Sequence, residues 1–191
     1  MLLKELLQGI EILDTNCDLN TQITGVSYDS RKTRPGDLFV AITGYATDGH
    51  LFIPMALQKG AAVILCQTPP ENAAYVRIAD TRAALAIVGA NWFGHPAKQM
   101  TMVGVTGTNG KTSFTYLLKH VLEKTRNARV GLIGTIQNMI GNEVLHTERT
   151  TPESYELQKL FAQMRDAGCT HVIMEVSSQA LAQKRVDGIK F

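Results

Sequence analysis

Gly107, Gly110, Lys111 and Thr112 have the types and spacing that could do chemistry. They close the stretch Met102-Val103-Gly104-Val105-Thr106-Gly107-Thr108-Asn109-Gly110-Lys111-Thr112. Two glycines let a backbone turn tightly, so that successive N–H groups converge on one point at the positive end of a following helix. A phosphate fits such a point. The lysine would bring a mobile positive charge to β- and γ-phosphates, and the threonine hydroxyl would be placed to bind a Mg²⁺ bridging them. Gly107, Thr108, Asn109, Gly110, Lys111, Thr112 and Ser113 are therefore read as an ATP site, with Lys111 and Thr112 catalytic and Thr112 a metal ligand. The strict phosphate-loop pattern has glycine five places before Gly110. Val105 stands there, so the match is to a variant.

The loop needs a strand before it and a helix after it. The apolar run into Val105 reads as a buried strand, and Phe114, Leu117, Leu118, Val121 and Leu122 recur at helical spacing. Residues 129–135 look like a strand, and residues 136–146 like a hairpin turning at Gly141-Asn142. Thr151-Pro152-Glu153 reads as a helix start, with a hydroxyl cap, proline in the first turn and an acid at the positive end. Leu157, Leu160, Phe161 and Met164 would form its buried stripe, Gly168 its stop, and residues 171–176 the next strand. Strand and helix in alternation predict a doubly wound parallel sheet. Glu175 falls at the carboxyl end of one strand, where such sheets place ligands, and a hard carboxylate oxygen suits Mg²⁺.

The preceding residues read as a smaller α/β unit. Residues 1–10 form an amphipathic helix rather than a signal peptide, because Leu2, Leu3, Leu6, Leu7 and Ile10 share one face. Strands are expected over 23–28, 38–42, 61–66 and 75–79, with a turn at Arg34-Pro35-Gly36-Asp37. Helices are expected over 50–59, closed by Gly60, and from a cap at Thr81 to about Phe93. This gives two domains, 1–98 and 99–191.

Bulk properties exclude several classes. The 191 residues are 45% hydrophobic and 19% charged, with net charge +2, too balanced for a nucleic-acid partner. Cys17, Cys66 and Cys169 form no C-x-x-C pair, so they read as reduced thiols of a cytoplasmic protein rather than metal ligands. No apolar run reaches membrane-spanning length. His50, His95 and His120 are read as surface or capping residues.

Four separated motifs then stand in one order: Asp29-Ser30-Arg31 with Pro35-Gly36-Asp37-Leu38-Phe39-Val40-Ala41, the loop at 106–112, Thr150-Thr151-Pro152-Glu153, and Met174-Glu175-Val176-Ser177-Ser178. This order resembles the Mur ligases, ATP-dependent amide-forming enzymes of bacterial cell-wall synthesis, and among them the MurE type. The resemblance covers essentially the whole chain. It implies a UDP-binding N-terminal α/β domain followed by a phosphate-loop ATP domain that is incomplete at Phe191. The family's third domain, which grips the incoming amino acid, would lie outside the chain, as would its carbamylated lysine and a magnesium-binding histidine.

The implied reaction uses ATP and Mg²⁺ to phosphorylate the D-glutamate side-chain carboxylate of UDP-MurNAc-L-Ala-D-Glu. The amine of a diamino acid, meso-diaminopimelate by default or L-lysine, then attacks the acyl phosphate. A monomer is implied. The 191 residues alone are expected to act as a nucleotide-sugar and ATP-binding fragment without turnover.

The resemblance also assigns residues. Glu175 matches a magnesium ligand. Thr150, Thr151, Ser177, Gln183 and Arg185 match positions that hold the muramoyl dipeptide, and Arg185 could grip a carboxylate or pyrophosphate bidentately. Tyr28, Ser30, Tyr45, Ala46 and Thr47 match positions that cradle the UDP moiety. Asp29 and Arg31 read instead as a local pair. Gln179 stands where the family often has histidine, and Arg149 where asparagine is common.

Overall fold

Buried runs at Leu38–Val40 and Val63–Cys66 put the centre of the first sheet where strands shielded on both faces belong. The computed structural model describes residues 1–44, 47–147 and 149–191. They divide into two compact units, Met1–Trp92 and Phe93–Phe191.

In the first unit, β1 (Asp14–Thr15), β2 (Gly25–Ser27), β3 (Asp37–Val40), β4 (Val63–Cys66) and β5 (Tyr75–Arg77) form one sheet in the order β1-β5-β4-β3-β2. Strands β2 to β5 run parallel, with Leu38 opposite Val63, and β1 closes one edge antiparallel. The helices are α1 (Leu3–Leu6), α2 (Ile53–Gln58) and α3 (Thr81–Trp92). Phe39, Ala41, Ile53, Ala56, Ile64 and Cys66 form a core cluster.

Three local expectations change here. Helix α1 is shorter than ten residues, since the chain turns through Gly9 at φ +86, although Leu3, Leu6 and Leu7 are buried as the amphipathic pattern requires. Residues 49–52 form a 3-10 turn before α2, whose helix proper starts at the Ile53-Pro54 step. The cap of α3 is Asp80, whose Oδ1 accepts the Arg82 and Ala83 N–H groups at 2.9 and 3.1 Å. Thr81 is the first helical residue and donates to Gln67 Oε1 at 3.1 Å. The predicted turn at residues 34–37 is present, with Asp37 N–H on Arg34 O at 3.2 Å and Gly36 at φ +85.

The second unit begins at Phe93 rather than near residue 98. The 3-10 turn Pro96–Gln99 packs on a helix of this unit, where Arg165 donates to Phe93 O at 3.0 Å and Tyr155 lies 5.3 Å from the Phe93 ring. Its strands β6 (Thr101–Val105), β7 (Val130–Ile133), β8 (Asn138–Ile140), β9 (Glu143–Leu145) and β10 (His171–Glu175) are ordered β6-β10-β7-β8-β9. The first three are parallel; β8 and β9 form the predicted hairpin, with Ile140 opposite Glu143 and Gly141 at φ +60.

Helices α4 (Lys111–Arg126), α5 (Ser154–Asp166) and α6 (Ser178–Ala182) complete the unit. Alternation along β10 assigns the faces: Val172 and Met174 join Leu157, Phe161 and Met164 of α5, whereas Ile173 joins Leu118 and Leu122 of α4. The sheet is thus covered on both faces. The expected α4 stripe only partly packs, because Phe114, Leu117 and Val121 are 53%, 61% and 42% exposed. Helix α5 starts at Ser154, later than expected, and its cap is Glu153 rather than Thr151.

Candidate active site

Strand β6 ends at Val105 and α4 begins at Lys111, so residues 106–110 form the loop between them. Gly110, at φ +78 and ψ −3, has the left-handed conformation that glycine adopts most cheaply. The first helical bond joins Phe114 N–H to Gly110 O at 2.9 Å. The N–H groups of Lys111, Thr112 and Ser113 therefore have no carbonyl of their own helix to meet, at the positive end of a 16-residue helix. Gly107, Thr108, Asn109 and Gly110 are exposed. Lys111 Nζ lies across the loop, donating to Gly107 O at 2.7 Å.

Register in the parallel sheet sets Glu175 beside Val105, the last strand residue before the loop. Glu175 is 1% exposed, and its carboxylate is held on both oxygens. Oε1 accepts the Thr112 hydroxyl and the Thr135 N–H, each at 3.0 Å, and Oε2 accepts the Thr135 hydroxyl at 3.0 Å. A Cβ on Gly134 would stand 2.6 Å from Oε1, so the carboxylate fits only because residue 134 has no side chain.

Thr112 and Glu175 give a hydroxyl and a carboxylate oxygen at the mouth of the loop. Such a pair of hard oxygens fits Mg²⁺, which takes few protein ligands and completes its shell with water and substrate phosphates. Among the described residues no group of three or more His, Cys, Asp or Glu could hold a metal.

Beyond Glu175 the chain passes Ser177, which caps α6 by accepting Ala180 N–H at 3.1 Å. A cavity of about 410 Å³ lies there, lined by Arg149, Thr150, Thr151, Ser177, Gln179 and Arg185. Thr151 is 1% exposed and holds the wall together: its hydroxyl donates to Glu175 O at 2.9 Å and accepts Ser177 N–H at 3.2 Å. Arg185 donates to Thr151 O at 2.9 Å and to the buried Gln183 Oε1, with Glu153 Oε2 3.6 Å from its Nε. Gln183 thus steadies Arg185. Four of the five substrate positions expected in this unit line the cavity, and Arg149 and Gln179 line it too.

Sequence reasoning passed over Gly134 and Thr135. The signal was a Gly-Thr pair just past an apolar strand, but only the pairing of β7 with β10 shows that it meets Glu175.

In the first unit, Ser30 is buried and its hydroxyl donates to Met55 Sδ at 3.3 Å. Tyr28 is half-buried. Thr47 is exposed, and its carbonyl accepts Gly44 N–H at 3.1 Å. Tyr45 and Ala46 lie outside the described residues. Arg31 binds Asp29 through two nitrogens at 2.9 and 2.8 Å, and these hydrogen bonds hold the Asp29 carboxyl below its usual range. His50 is a structural clasp: Nδ1 meets Asp48 at 2.7 Å, and Nε2 accepts the Gln67 and Thr68 N–H groups at 3.0 and 3.4 Å.

The family comparison matches two models in succession along the chain. A model of the Mur ligase family catalytic domain matches residues 22–102, and one of the Mur ligase middle domain matches residues 105–191. The UDP-N-acetylmuramoyl-L-alanyl-D-glutamate--2,6-diaminopimelate ligase of Clostridium botulinum is 48% identical over 176 residues, covering 89% of this chain and 36% of the relative. The enzyme of that name from Caldanaerobacter subterraneus is 45% identical over 194 residues, covering 100% and 40%. A solved structure of a ligase so named superposes with TM-score 0.79 at 27% identity, over 98% of this chain and 38% of its own. The MurF ligase of Thermotoga maritima, solved with ADP, gives TM-score 0.53 at 25% identity over 85% and 34%. The chain spans about two fifths of the length of the curated relatives it matches. With two models of one family matched in order over nearly the whole sequence, this chain belongs to the Mur ligase family.

Proposed function

We propose that this chain carries the nucleotide-handling part of a MurE-type ligase, which joins a diamino acid to the D-glutamate side-chain carboxylate of UDP-MurNAc-L-Ala-D-Glu at the expense of ATP. The observation that carries the reading is the 3.0 Å contact of Thr112 with Glu175, which ties the phosphate loop to the strand whose end opens on the arginine-lined cavity. Phosphoryl transfer needs positioning and charge neutralisation more than covalent help. Lys111 and the N–H groups of residues 111–113 would hold the phosphates. Thr112 and Glu175 would hold Mg²⁺, which neutralises charge on the β- and γ-phosphates.

In the cavity, Arg149 and Arg185 supply positive charge for the acidic peptide end, with Thr150, Thr151 and Ser177 around them and Gln183 holding Arg185 from behind the wall. Tyr28, Ser30 and the loop at residues 45–47 are assigned to the UDP end. The γ-phosphoryl group passes to the D-glutamate carboxylate oxygen and leaves ADP; the diamino acid amine then displaces phosphate. Diaminopimelate is favoured over L-lysine because the relatives are named as 2,6-diaminopimelate ligases. No described residue is assigned to the diamino acid. We take the protein to be a cytoplasmic monomer; no described helix is long and apolar enough to cross a membrane.

Isothermal titration of the 191-residue chain with UDP-MurNAc-L-Ala-D-Glu, and separately with Mg²⁺ and a non-hydrolysable ATP analogue, tests the reading. Heat is expected in both titrations. Its absence in both would sink it, whereas phosphate release on adding ATP, sugar nucleotide and diamino acid together would show that these residues alone turn over.

A further inference from the structure

We propose that Thr135 is a positioning residue that fixes the Glu175 carboxylate for the metal-nucleotide and ties it to Thr150 in the cavity wall. The proposal rests on the reading of Thr112 and Glu175 as a Mg²⁺-nucleotide site.

An ionised carboxylate only accepts hydrogen bonds, and a threonine hydroxyl has one proton. Thr112 gives its proton to Oε1 and Thr135 gives its own to Oε2. The Thr135 hydroxyl also reaches Thr150 Oγ1 at 3.1 Å, again as the donor, so its one proton is shared between Glu175 Oε2 and Thr150. The Thr135 hydroxyl therefore links the Glu175 carboxylate to the cavity wall.

Two consequences follow for the site. Thr135 binds both carboxylate oxygens, one through its N–H and one through its hydroxyl, so the carboxylate cannot rotate about its last bond without losing one of them. Hydrogen bonds from such outer partners orient a metal ligand and tune its affinity. Thr150, which accepts from Thr135, lines the cavity and so joins its wall to the carboxylate. Thr135 itself is exposed, so packing gives no other reason for a hydroxyl there.

The test is isothermal titration of the 191-residue chain with a non-hydrolysable ATP analogue, in excess Mg²⁺ and again in chelator. Thr135→Val keeps the branched shape without the hydroxyl, and Thr135→Ser restores the hydroxyl. In Mg²⁺ the valine variant should bind about tenfold more weakly than the unsubstituted chain, with affinity in chelator unchanged and the serine variant restored. Equal affinity of the valine variant in Mg²⁺ overturns the positioning role and leaves the nucleotide site standing. Equal weakening with and without Mg²⁺ overturns it as well, since a general structural role does that. If the unsubstituted chain shows no Mg²⁺-dependent binding, the site reading fails and this inference with it.

Discussion

Glu175 at the end of β10 accepts the hydroxyl of Thr112 in the first turn of α4 at 3.0 Å. The two residues are far apart in sequence and meet because β10 inserts beside β6, with Glu175 level with Val105. A parallel crossover thus delivers a carboxylate to the mouth of the loop that precedes the helix, at the carboxyl edge where open α/β sheets carry their ligands.

That approach depends on Gly134, where a Cβ would stand 2.6 Å from Glu175 Oε1. Its backbone is not left-handed, so the constraint is space alone. Gly134→Ala should cost about 1–3 kcal/mol as a small-to-large change in a packed place and displace the carboxylate. Urea unfolding would give the first number. Titration with the Mg²⁺-bound ATP analogue should show weakened binding; unchanged affinity would mean that the carboxylate position does not matter.

Thr151→Val should destabilise the second unit by about 1–3 kcal/mol, because valine fills the space but leaves Ser177 N–H and Glu175 O without their partner. Thr151→Ser should recover most of the loss. Equal stability of the valine variant, measured by urea unfolding, would show that water replaces the hydroxyl.

The pattern of strands and helices was legible because local rules and tertiary packing agree for it: buried runs became β3, β4 and β10, and Gly-Asn made a hairpin. Caps were less legible. Thr151 looks like the start of α5, yet the cap is Glu153, because the Thr151 hydroxyl is taken by the backbone on either side of Val176. Thr81 lost its cap role to Asp80 in the same way, its hydroxyl going to Gln67. Side chains with a hydroxyl can serve distant partners, and spacing along the chain does not reveal which. The glycine loop before α4 and the place of Glu175 at a strand end could be read from residue types, whereas Gly134 and Thr135 reach Glu175 from a neighbouring strand. The exposure of Phe114, Leu117 and Val121 was equally hidden, since helical periodicity shows an apolar face but not what lies against it.

His50 offers a further check on the first unit. Its Nε2 accepts two backbone N–H groups at the end of β4 and its Nδ1 is anchored by Asp48, so the imidazole joins two loop segments. His50→Ala should remove about 1–3 kcal/mol of stability by leaving those N–H groups to find water. Amide hydrogen exchange at Gln67 and Thr68 should speed up in the variant. Exchange at the native rate would show that the imidazole bonds are dispensable.

Cys66 predicts how stability responds to alkaline pH. Burial pushes its thiol from the ordinary 9.0 to about 11, with the charge of Arg77 opposing. Below pH 9 the thiol is protonated in folded and unfolded chains alike and contributes no slope. Above it the unfolded chain ionises first, so the folded state holds the extra proton and stability falls as pH rises. By about pH 10.5 the loss should reach about 2 kcal/mol, at 1.36 kcal/mol per unit of difference. Urea unfolding at about pH 8 and about pH 10.5 should show this fall in the unsubstituted chain and a fall smaller by that amount in Cys66→Ala. Parallel slopes in the two proteins would mean that the thiol ionises as readily in the folded core as in water, which its 0% exposure opposes.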